Sequence, residues 1–251
     1  MENNLFRAGI AEALGVFFLV FVGGSAICMD AFMKLPGVAP ATGIVGIGFV
    51  GIALAHGLAL MAAIYMTAGK SGAHINPAVS IGLWAIGKIN ANRMLVYVVL
   101  QLVGAVIAGV AIWAMFSMFK SNAPYLGNPS YIDDPSSDYA LSMVKAIGIE
   151  ALLTFLLMTV VLNTAVDAGR TARQMFGIAI GLTVTFCILI AGPYTGAAMN
   201  PARYFGTAVV SGKLSQLAVY FVGPIVGALI ASFFYKLFME EKQDAVAEAP
   251  A

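Results

Sequence analysis

Charged residues are scarce in this chain. Lysine and arginine together number 13 and aspartate and glutamate 12, so 10% of the 251 residues are charged, whereas 61% are apolar. An ordinary soluble domain has about 25% charged residues. So few charges cannot cover a soluble surface of this size, and the composition therefore predicts an integral membrane protein. A net charge of +1 and the lack of a basic run give no indication of nucleic-acid binding.

Cysteine and histidine are also rare, with two of each. Cys28 and Cys187 both fall in apolar stretches, which excludes a disulfide framework and a paired-cysteine metal site. His56 and His74 have no recognisable ligand spacing, and no catalytic serine–histidine or aspartate pair accompanies them. We therefore expect no metal, no cofactor and no enzyme. No cleavable signal is expected either, because the first apolar stretch is long enough to span a membrane.

What the chain does have is long apolar runs. A membrane-spanning helix needs about 20 mostly apolar residues. Six stretches qualify, and they cover residues 8–28, 42–66, 93–119, 139–164, 174–191 and 216–238. Two shorter runs, 77–86 and 201–210, each follow an Asn-Pro-Ala triplet, and at about 1.5 Å per residue each crosses only half of the hydrocarbon. The pattern predicts six spans and two half-helices.

The two halves of the chain repeat each other. SGAHINPAVSIG at 71–82 and TGAAMNPARYFG at 195–206 share one pattern, AEALGVFF from Ala11 matches IEALLTFL from Ile149, and QLVGAVIAG from Gln101 matches PIVGALIAS from Pro224. Three spans per copy force the second copy to enter the membrane from the opposite side. We expect an all-α membrane protein in an inverted 3+3 repeat. Its parts are a first repeat over 1–119, an external connector over 120–138, a second repeat over 139–238 and a polar tail over 239–251.

The lysines and arginines predict the orientation. With the N-terminus inside, eight lie on the cytoplasmic side and four outside; the eight are Arg7, Lys70, Lys88, Arg93, Arg170, Arg173, Lys236 and Lys242, and the four are Lys34, Lys120, Lys145 and Lys213. Cytoplasmic loops carry the excess of basic residues. We expect a multi-pass protein of the plasma membrane with both termini cytoplasmic.

The repeated triplets predict a pore. Asn76-Pro77-Ala78 and Asn200-Pro201-Ala202 suit helix starts, because asparagine is a preferred N-cap and proline a preferred first helical residue. A single triplet is typical of an ordinary turn, but two copies at equivalent places in a repeat favour a shared role. Irregular backbone at this depth is tolerated only in protein or against a watery cavity. The two positive helix starts repel cations, and the asparagine NH2 groups attract the oxygen of a neutral molecule.

Three further charged residues lie within the apolar stretches. Arg203 follows the second triplet. A charge at this depth costs roughly 2.5–3.5 kcal/mol unless it is paired or solvated by water, so Arg203 indicates a permeation path. Glu12 and Glu150 occupy equivalent places about one turn inside their helices, and we expect them to support the re-entrant loops by accepting backbone hydrogen bonds. His74 either braces the first loop or lines the inner vestibule.

This constellation resembles the aquaporin (major intrinsic protein) family over roughly residues 7–238. The resemblance implies six helices plus two half-helices in a right-handed bundle, one pore per subunit, and a homotetramer in membrane lipid. It makes Arg203 the filter arginine and places His56, Ile188 and Ala197 at the other three filter positions. The set is similar to that of some tonoplast intrinsic proteins, associated with water, ammonia and urea. Tyr204 and Ala208 favour the water-channel branch over glycerol facilitators.

The expected function is a passive channel for water and small neutral solutes such as ammonia that excludes protons and ions. In it, His56 and Arg203 supply hydrogen-bond donors, and Ile188 supplies an apolar wall. The alternative is a facilitator mainly for glycerol, urea or another small uncharged solute. A secondary carrier is less favoured, because carriers need ionisable or carbonyl sites for a coupling ion and no aspartate is expected inside a span.

Overall fold

A computed structural model of the chain describes residues 2–35, 38, 43, 45–117, 124–133, 141–166 and 175–240. These residues form eight α-helices: α1 (Glu2–Met33), α2 (Gly48–Ser71), α3 (Pro77–Ala85), α4 (Ala91–Ser117), α5 (Met143–Val161), α6 (Phe176–Thr195), α7 (Pro201–Ser211) and α8 (Leu217–Phe238). A 3-10 turn covers Pro124–Gly127, and a π-helical turn at Leu162–Val166 continues α5.

Six of these helices (α1, α2, α4, α5, α6 and α8) are long and apolar enough to cross a membrane. The other two, α3 and α7, have only nine and eleven residues. The predicted all-helical architecture of six spans and two half-helices is therefore confirmed. The predicted span ends at residues 42, 119, 139 and 174 lie outside the described residues. So do several charges used for the orientation and the connector, namely Lys120, Asp134, Asp138, Arg170, Arg173 and Lys242.

Helix α1 is longer than its apolar run, and this corrects two expectations. It starts at Glu2, so Glu12 lies ten residues inside it, nearly three turns rather than one. It also continues past residue 28 to Met33, which brings Asp30 into the span. Asp30 is not isolated, because it pairs with Lys34 at 2.6 Å and accepts a hydrogen bond from the N–H of Gly48 at 2.9 Å. The pairing explains how an aspartate is accommodated at this helix end.

The two halves pack in equivalent ways. Helix α1 lies against α2 and α4, just as α5 lies against α6 and α8. Gly104 of α4 abuts the backbone of Ala13, and Gly227 of α8 abuts that of Ala151, so closely that a β-carbon on either glycine would overlap main-chain atoms. Small residues allow such close helix contacts in membranes. The same crossing is therefore built twice, once in each half.

The half-helices join the halves to each other. The first, α3, packs mainly on α8 of the second half, and the second, α7, packs mainly on α4 of the first half. Large apolar side chains such as Ile107, Trp113, Leu152 and Ile190 face outward, each more than half exposed. An apolar exterior of this kind suits contact with lipid. The buried interior is left for the two re-entrant loops.

Candidate pore and selectivity filter

The half-helix starts have the cap geometry that asparagine and proline favour. The side-chain oxygen of Asn76 accepts a hydrogen bond from the N–H of Ala78 at 2.9 Å. That of Asn200 accepts from the N–H groups of Ala202 and Arg203 at 3.0 and 3.3 Å. Pro77 and Pro201 occupy the first helical position, where no N–H is needed. Each asparagine thus accepts hydrogen bonds from backbone N–H groups that would otherwise lack an acceptor at the helix start.

The asparagine NH2 groups also hold the two loops together. Asn76 Nδ2 donates to the carbonyl of Met199 at 2.8 Å, and Asn200 Nδ2 donates to that of Ile75 at 2.9 Å. From the sequence these groups were expected to attract the oxygen of a neutral molecule between the two helix starts, and the bond across the loops was not foreseen. An amide nitrogen carries two hydrogens, so after the reciprocal bond each asparagine keeps one donor for a molecule beside it.

The loops before the asparagines have an unusual backbone. Ala73 and Ile75 have φ of 56° and 53°, and their counterparts Ala197 and Met199 have 46° and 52°. A left-handed conformation in a residue with a β-carbon costs about 1–3 kcal/mol and persists only where the surroundings enforce it. Equivalent strain at equivalent positions indicates that both loops are held in place by strong contacts.

Glu150 supplies those contacts for the second loop. Its carboxylate accepts hydrogen bonds from the Thr195 hydroxyl at 2.7 Å and from the N–H groups of Ala198 and Met199 at 3.0 and 2.7 Å. The side chain is fully buried. A buried charge is tolerated when several donors surround it, and here two of those donors belong to the strained loop and the third to the end of α6.

Glu12 plays the same part for the first loop with a different third donor. It accepts from the N–H groups of His74 and Ile75 at 2.9 and 2.5 Å and from Gln101 Nε2 at 2.8 Å. The ring of His74 contacts the half-helix that follows the loop, because its Nδ1 lies 3.0 Å from the hydroxyl of Ser80 in α3.

Two tyrosines complete the support. The hydroxyl of Tyr97 donates to the carbonyl of Ser71, and that of Tyr220 donates to the carbonyl of Thr195, each at 2.7 Å. Both carbonyls belong to the residue that opens the repeated pattern. Neither tyrosine was identified from the sequence as part of the site, although the Gln101–Pro224 match, extended by four residues towards the N-terminus, aligns them.

A narrow cavity of about 40 Å³ runs past the loops, which is room for roughly three water molecules. Its lining includes His56, His74, Asn76, Ile188, Ala197, Asn200 and Arg203. A second, wider cavity of about 360 Å³ adjoins it and shares Ala73, His74 and Val79 with its lining. His74 therefore contacts Ser80 and also lines both cavities.

Arg203 is held at the narrow end by two acceptors. Its Nε and Nη2 atoms lie 3.3 and 3.1 Å from His56 Nε2, and Nη2 also donates to the Gly127 carbonyl at 2.7 Å. Arg203 is 3% exposed and His56 5%. Among the described residues, Arg203 Nη1 has no partner. The guanidinium thus keeps a free donor group beside the cavity.

The bonding of His56 differs from the expectation that it supplies a donor to the permeant. Its Nδ1 lies 2.8 Å from the carbonyl of Ile52, which can only accept. Its Nε2 faces arginine N–H groups, which can only donate. A neutral ring protonated on Nδ1 satisfies both contacts. The expectation was therefore wrong: both ring nitrogens are occupied, and His56 orients Arg203 instead.

The other two filter candidates contribute no polar side-chain atom. Ile188 and Ala197 line the narrow cavity and are 4% and 3% exposed. Cys187, next to Ile188, is fully buried and absent from that lining, and Cys28 is fully buried in α1. Neither thiol faces the permeant.

This geometry predicts weak inhibition by mercuric ions. We expect Ala197→Cys to create a block, because its thiol would lie in the narrow cavity, with water flux falling about tenfold and recovering with a thiol reductant. Flux through vesicles containing the protein is measured before and after treatment. Strong block of the unmutated protein that Cys187→Ser removes would mean that the assignment of Ile188 to the cavity is wrong.

Ionisable groups in the described residues do not gather into a larger centre. No group of three or more histidine, cysteine, aspartate or glutamate side chains that could hold a metal occurs in that part of the chain. The buried carboxylates Glu12 and Glu150 are each occupied by loop donors.

Comparison with known proteins agrees with this architecture. The family model described as Major intrinsic protein matches residues 1–235. Aquaporin AqpM of Methanothermobacter thermautotrophicus is 36% identical, over 95% of this chain and 99% of its own length. Aquaporin NIP1-1 of Zea mays is 36% identical over 91% of this chain and 73% of its own. Probable aquaporin TIP3-2 of Arabidopsis thaliana is 35% identical over 92% and 82%.

A solved structure extends the comparison to three dimensions. The aquaglyceroporin from Plasmodium falciparum matches with a TM-score of 0.77 and 31% identity, over 92% of this chain and 95% of that one. The chain belongs to the major intrinsic protein family. It is therefore a multi-pass membrane channel of the aquaporin type, for water and small solutes.

Proposed function

We propose that this channel passes water fastest, ammonia appreciably and glycerol slowly, and that it excludes protons and other ions. The observation that supports this proposal is the placement of His56, Ile188, Ala197 and Arg203 along the same narrow cavity as Asn76 and Asn200. The set is similar to the filter of some tonoplast intrinsic proteins, and we propose that it acts as a filter here.

The donors that remain free in this cavity favour small permeants. Arg203 Nη1 is unpartnered within the described residues, and each asparagine has one N–H left after its cross-bond. A water or ammonia molecule can accept a hydrogen bond from one such donor at a time. Glycerol must leave water with three hydroxyl groups, and a polar group without a partner costs roughly 1–3 kcal/mol. Ile188 and Ala197 offer no side-chain partner, so glycerol is slowed more than water.

Charge at both levels of the cavity opposes cations. The starts of α3 and α7 each carry roughly half a positive charge, and they meet at the asparagines. Arg203 adds a full charge at the filter. A cation would have to lose its water in this field, and the two carboxylates that support the loops, Glu12 and Glu150, already accept hydrogen bonds from the protein.

We propose further that the protein is a homotetramer in the plasma membrane with both termini cytoplasmic. The orientation is supported by the eight-to-four distribution of basic residues, and the tetramer by the family resemblance. Chemical cross-linking in the membrane measures the subunit number. Protease accessibility of a tag at each terminus in intact cells measures the orientation, and a fluorescent fusion locates the membrane.

The order of permeants is tested by stopped-flow light scattering on proteoliposomes. Shrinkage in an impermeant osmolyte gives water flux, and re-swelling gives glycerol or urea flux; a trapped pH-sensitive dye reports ammonia entry. We expect Ile188→His to lower the ratio of ammonia flux to water flux about threefold, because it replaces an apolar wall with a bulkier polar one. Ile188→Val, which keeps the wall apolar, is the control and leaves the ratio unchanged.

Two outcomes contradict the proposed order. Glycerol flux as fast as water flux in the unmutated protein would favour a glycerol facilitator. An unchanged ratio of solute to water flux in Ile188→His would remove Ile188 from the filter.

A further inference from the structure

Both partners of Arg203 rest on adjacent glycines of α1. His56 lies against Gly23, and the turn that ends at Gly127 lies against Gly24. Neither glycine belongs to the residues that line the narrow cavity. The two glycines therefore lie behind the residues that contact Arg203, outside the lining of the cavity.

The contact at Gly23 involves the face of the His56 ring. A β-carbon on Gly23 would lie 2.9 Å from His56 Cε1 and closer still to Cδ2 and Nε2, and contacts under 3.0 Å require something to shift. The ring cannot easily turn away, because its Nδ1 is bonded to the Ile52 carbonyl at 2.8 Å. The displacement open to it leads away from α1, towards Arg203 and the cavity.

The contact at Gly24 involves the backbone of the connector. The position of a β-carbon on Gly127 lies 2.6 Å from the Gly24 carbonyl oxygen. A β-carbon on Gly24 would lie 2.6 Å from Ile112 Cδ1 of α4 and 3.1 Å from the carbonyl oxygen of Leu126. Gly127 has φ of 67°, a conformation that glycine adopts without strain. The Gly127 carbonyl is the second acceptor of Arg203, and the turn that carries it packs directly against α1.

We propose that Gly23 and Gly24 are specificity-determining positions of this channel, which set the place of Arg203 through His56 and through Gly127 respectively. The inference rests on the proposed function, since it treats Arg203 as the filter. Gly23 leaves the imidazole room to lie back against α1 with Nε2 towards the guanidinium. Gly24 lets the connector approach until the Gly127 carbonyl reaches Nη2. Together they leave Nη1 as the donor that faces the permeant.

The test is a double-mutant cycle between Gly23 and His56, read on the fastest permeant and on the ratio of solute to water flux. Gly23→Ala is expected to lower water flux about fivefold, because an added methyl group in a tightly packed site displaces its neighbour. In a His56→Ala background the methyl group has room, and Gly23→Ala is expected to change flux by less than about 1.5-fold. A methyl group at Gly24 meets Ile112 and the Leu126 carbonyl but not His56, so the effect of Gly24→Ala persists in that background.

Gly9→Ala is the matched control on the same helix. Its β-carbon meets mainly the flexible end of Leu100, far from the filter, and we expect flux to stay unchanged. An equal loss of flux from Gly23→Ala in both backgrounds would indicate a general packing defect and overturn the inference, as would no loss in either. The flux is scored on whichever permeant is fastest, and the ratio of solute to water flux is expected to change in Gly23→Ala only where His56 is present. A failure of the proposed order therefore shows separately, in the unmutated protein.

Discussion

Glu150→Ala is expected to abolish most water permeation. Two backbone N–H groups and the Thr195 hydroxyl would lose their acceptor, at about 1–3 kcal/mol for each buried group. The contacts from Asn76 and Tyr220 would remain, but the strained stretch from Ala197 to Met199 would lose its carboxylate acceptor. The loop would relax and carry Asn200 with it. We expect at least about a tenfold fall in water flux per protein, because 1.4 kcal/mol already corresponds to tenfold.

Two variants serve as comparisons, a conservative change at Glu150 and a control at another carboxylate. Glu150→Gln keeps one acceptor oxygen and should retain intermediate flux. Glu240→Ala removes a carboxylate whose 2.6 Å bridge to Lys88 is partly exposed, a kind of pair worth about 0–1 kcal/mol, and should leave flux within about twofold. Flux is normalised to the protein recovered in the vesicles. Full flux in Glu150→Ala would show that the loop keeps its shape without the carboxylate.

The helices were the most predictable part of this fold, because apolar length decides them. The half-helices were placed to within a residue at each end, since Asn-Pro fixes each start and the apolar run fixes each length. The end of α1 was not predictable in the same way. Asp30 interrupts the apolar run, and its contacts with Lys34 and Gly48, which accommodate it as the helix continues to Met33, involve residues beyond that run.

The residues that support the re-entrant loops were predictable only in part, from the alignment of the two halves of the chain. Glu12 and Glu150 stood out because charge is rare in apolar helices and the two align. Their third donors could not be found that way, because the repeat is broken there: Gln101 donates to Glu12, but Pro224 stands at its counterpart. Thr195 donates to Glu150 instead, while its counterpart Ser71 bonds within its own helix and loop.

The filter shows why residue types alone mislead about hydrogen bonding. His56 is a polar side chain at a pore position, so a donor to the permeant was a reasonable expectation. Whether its nitrogens are free depends on Ile52 in its own helix and on Arg203, which is 147 residues away. The carbonyl of Gly127 carries no side-chain signal at all. Such contacts follow from packing between distant segments, which one sequence does not report.

Arg203→Val is expected to open the filter to larger solutes while only partly lifting the barrier to protons. The change removes the guanidinium and leaves His56 Nε2 and the Gly127 carbonyl without their donor. Both acceptors can then bind hydroxyl or amide hydrogens of a solute, so we expect glycerol and urea flux to rise by about tenfold. Proton leakage should rise less, because the starts of α3 and α7 keep their positive ends around Asn76 and Asn200.

Arg203→Lys keeps the charge of the side chain but changes its shape. It therefore distinguishes the role of the arginine in selecting solutes from its role in opposing protons. A lysine keeps the positive charge but cannot present the planar fork that reaches His56 and Gly127 together. We therefore expect solute flux to rise, as in Arg203→Val, with no increase in proton flux. A dye trapped in vesicles under an imposed potential measures proton entry, and re-swelling measures solute flux in the same preparation. Proton flux through the unmutated protein above that of empty vesicles would contradict the electrostatic barrier. If Arg203→Lys leaked protons as readily as Arg203→Val, geometry rather than charge would be what excludes them.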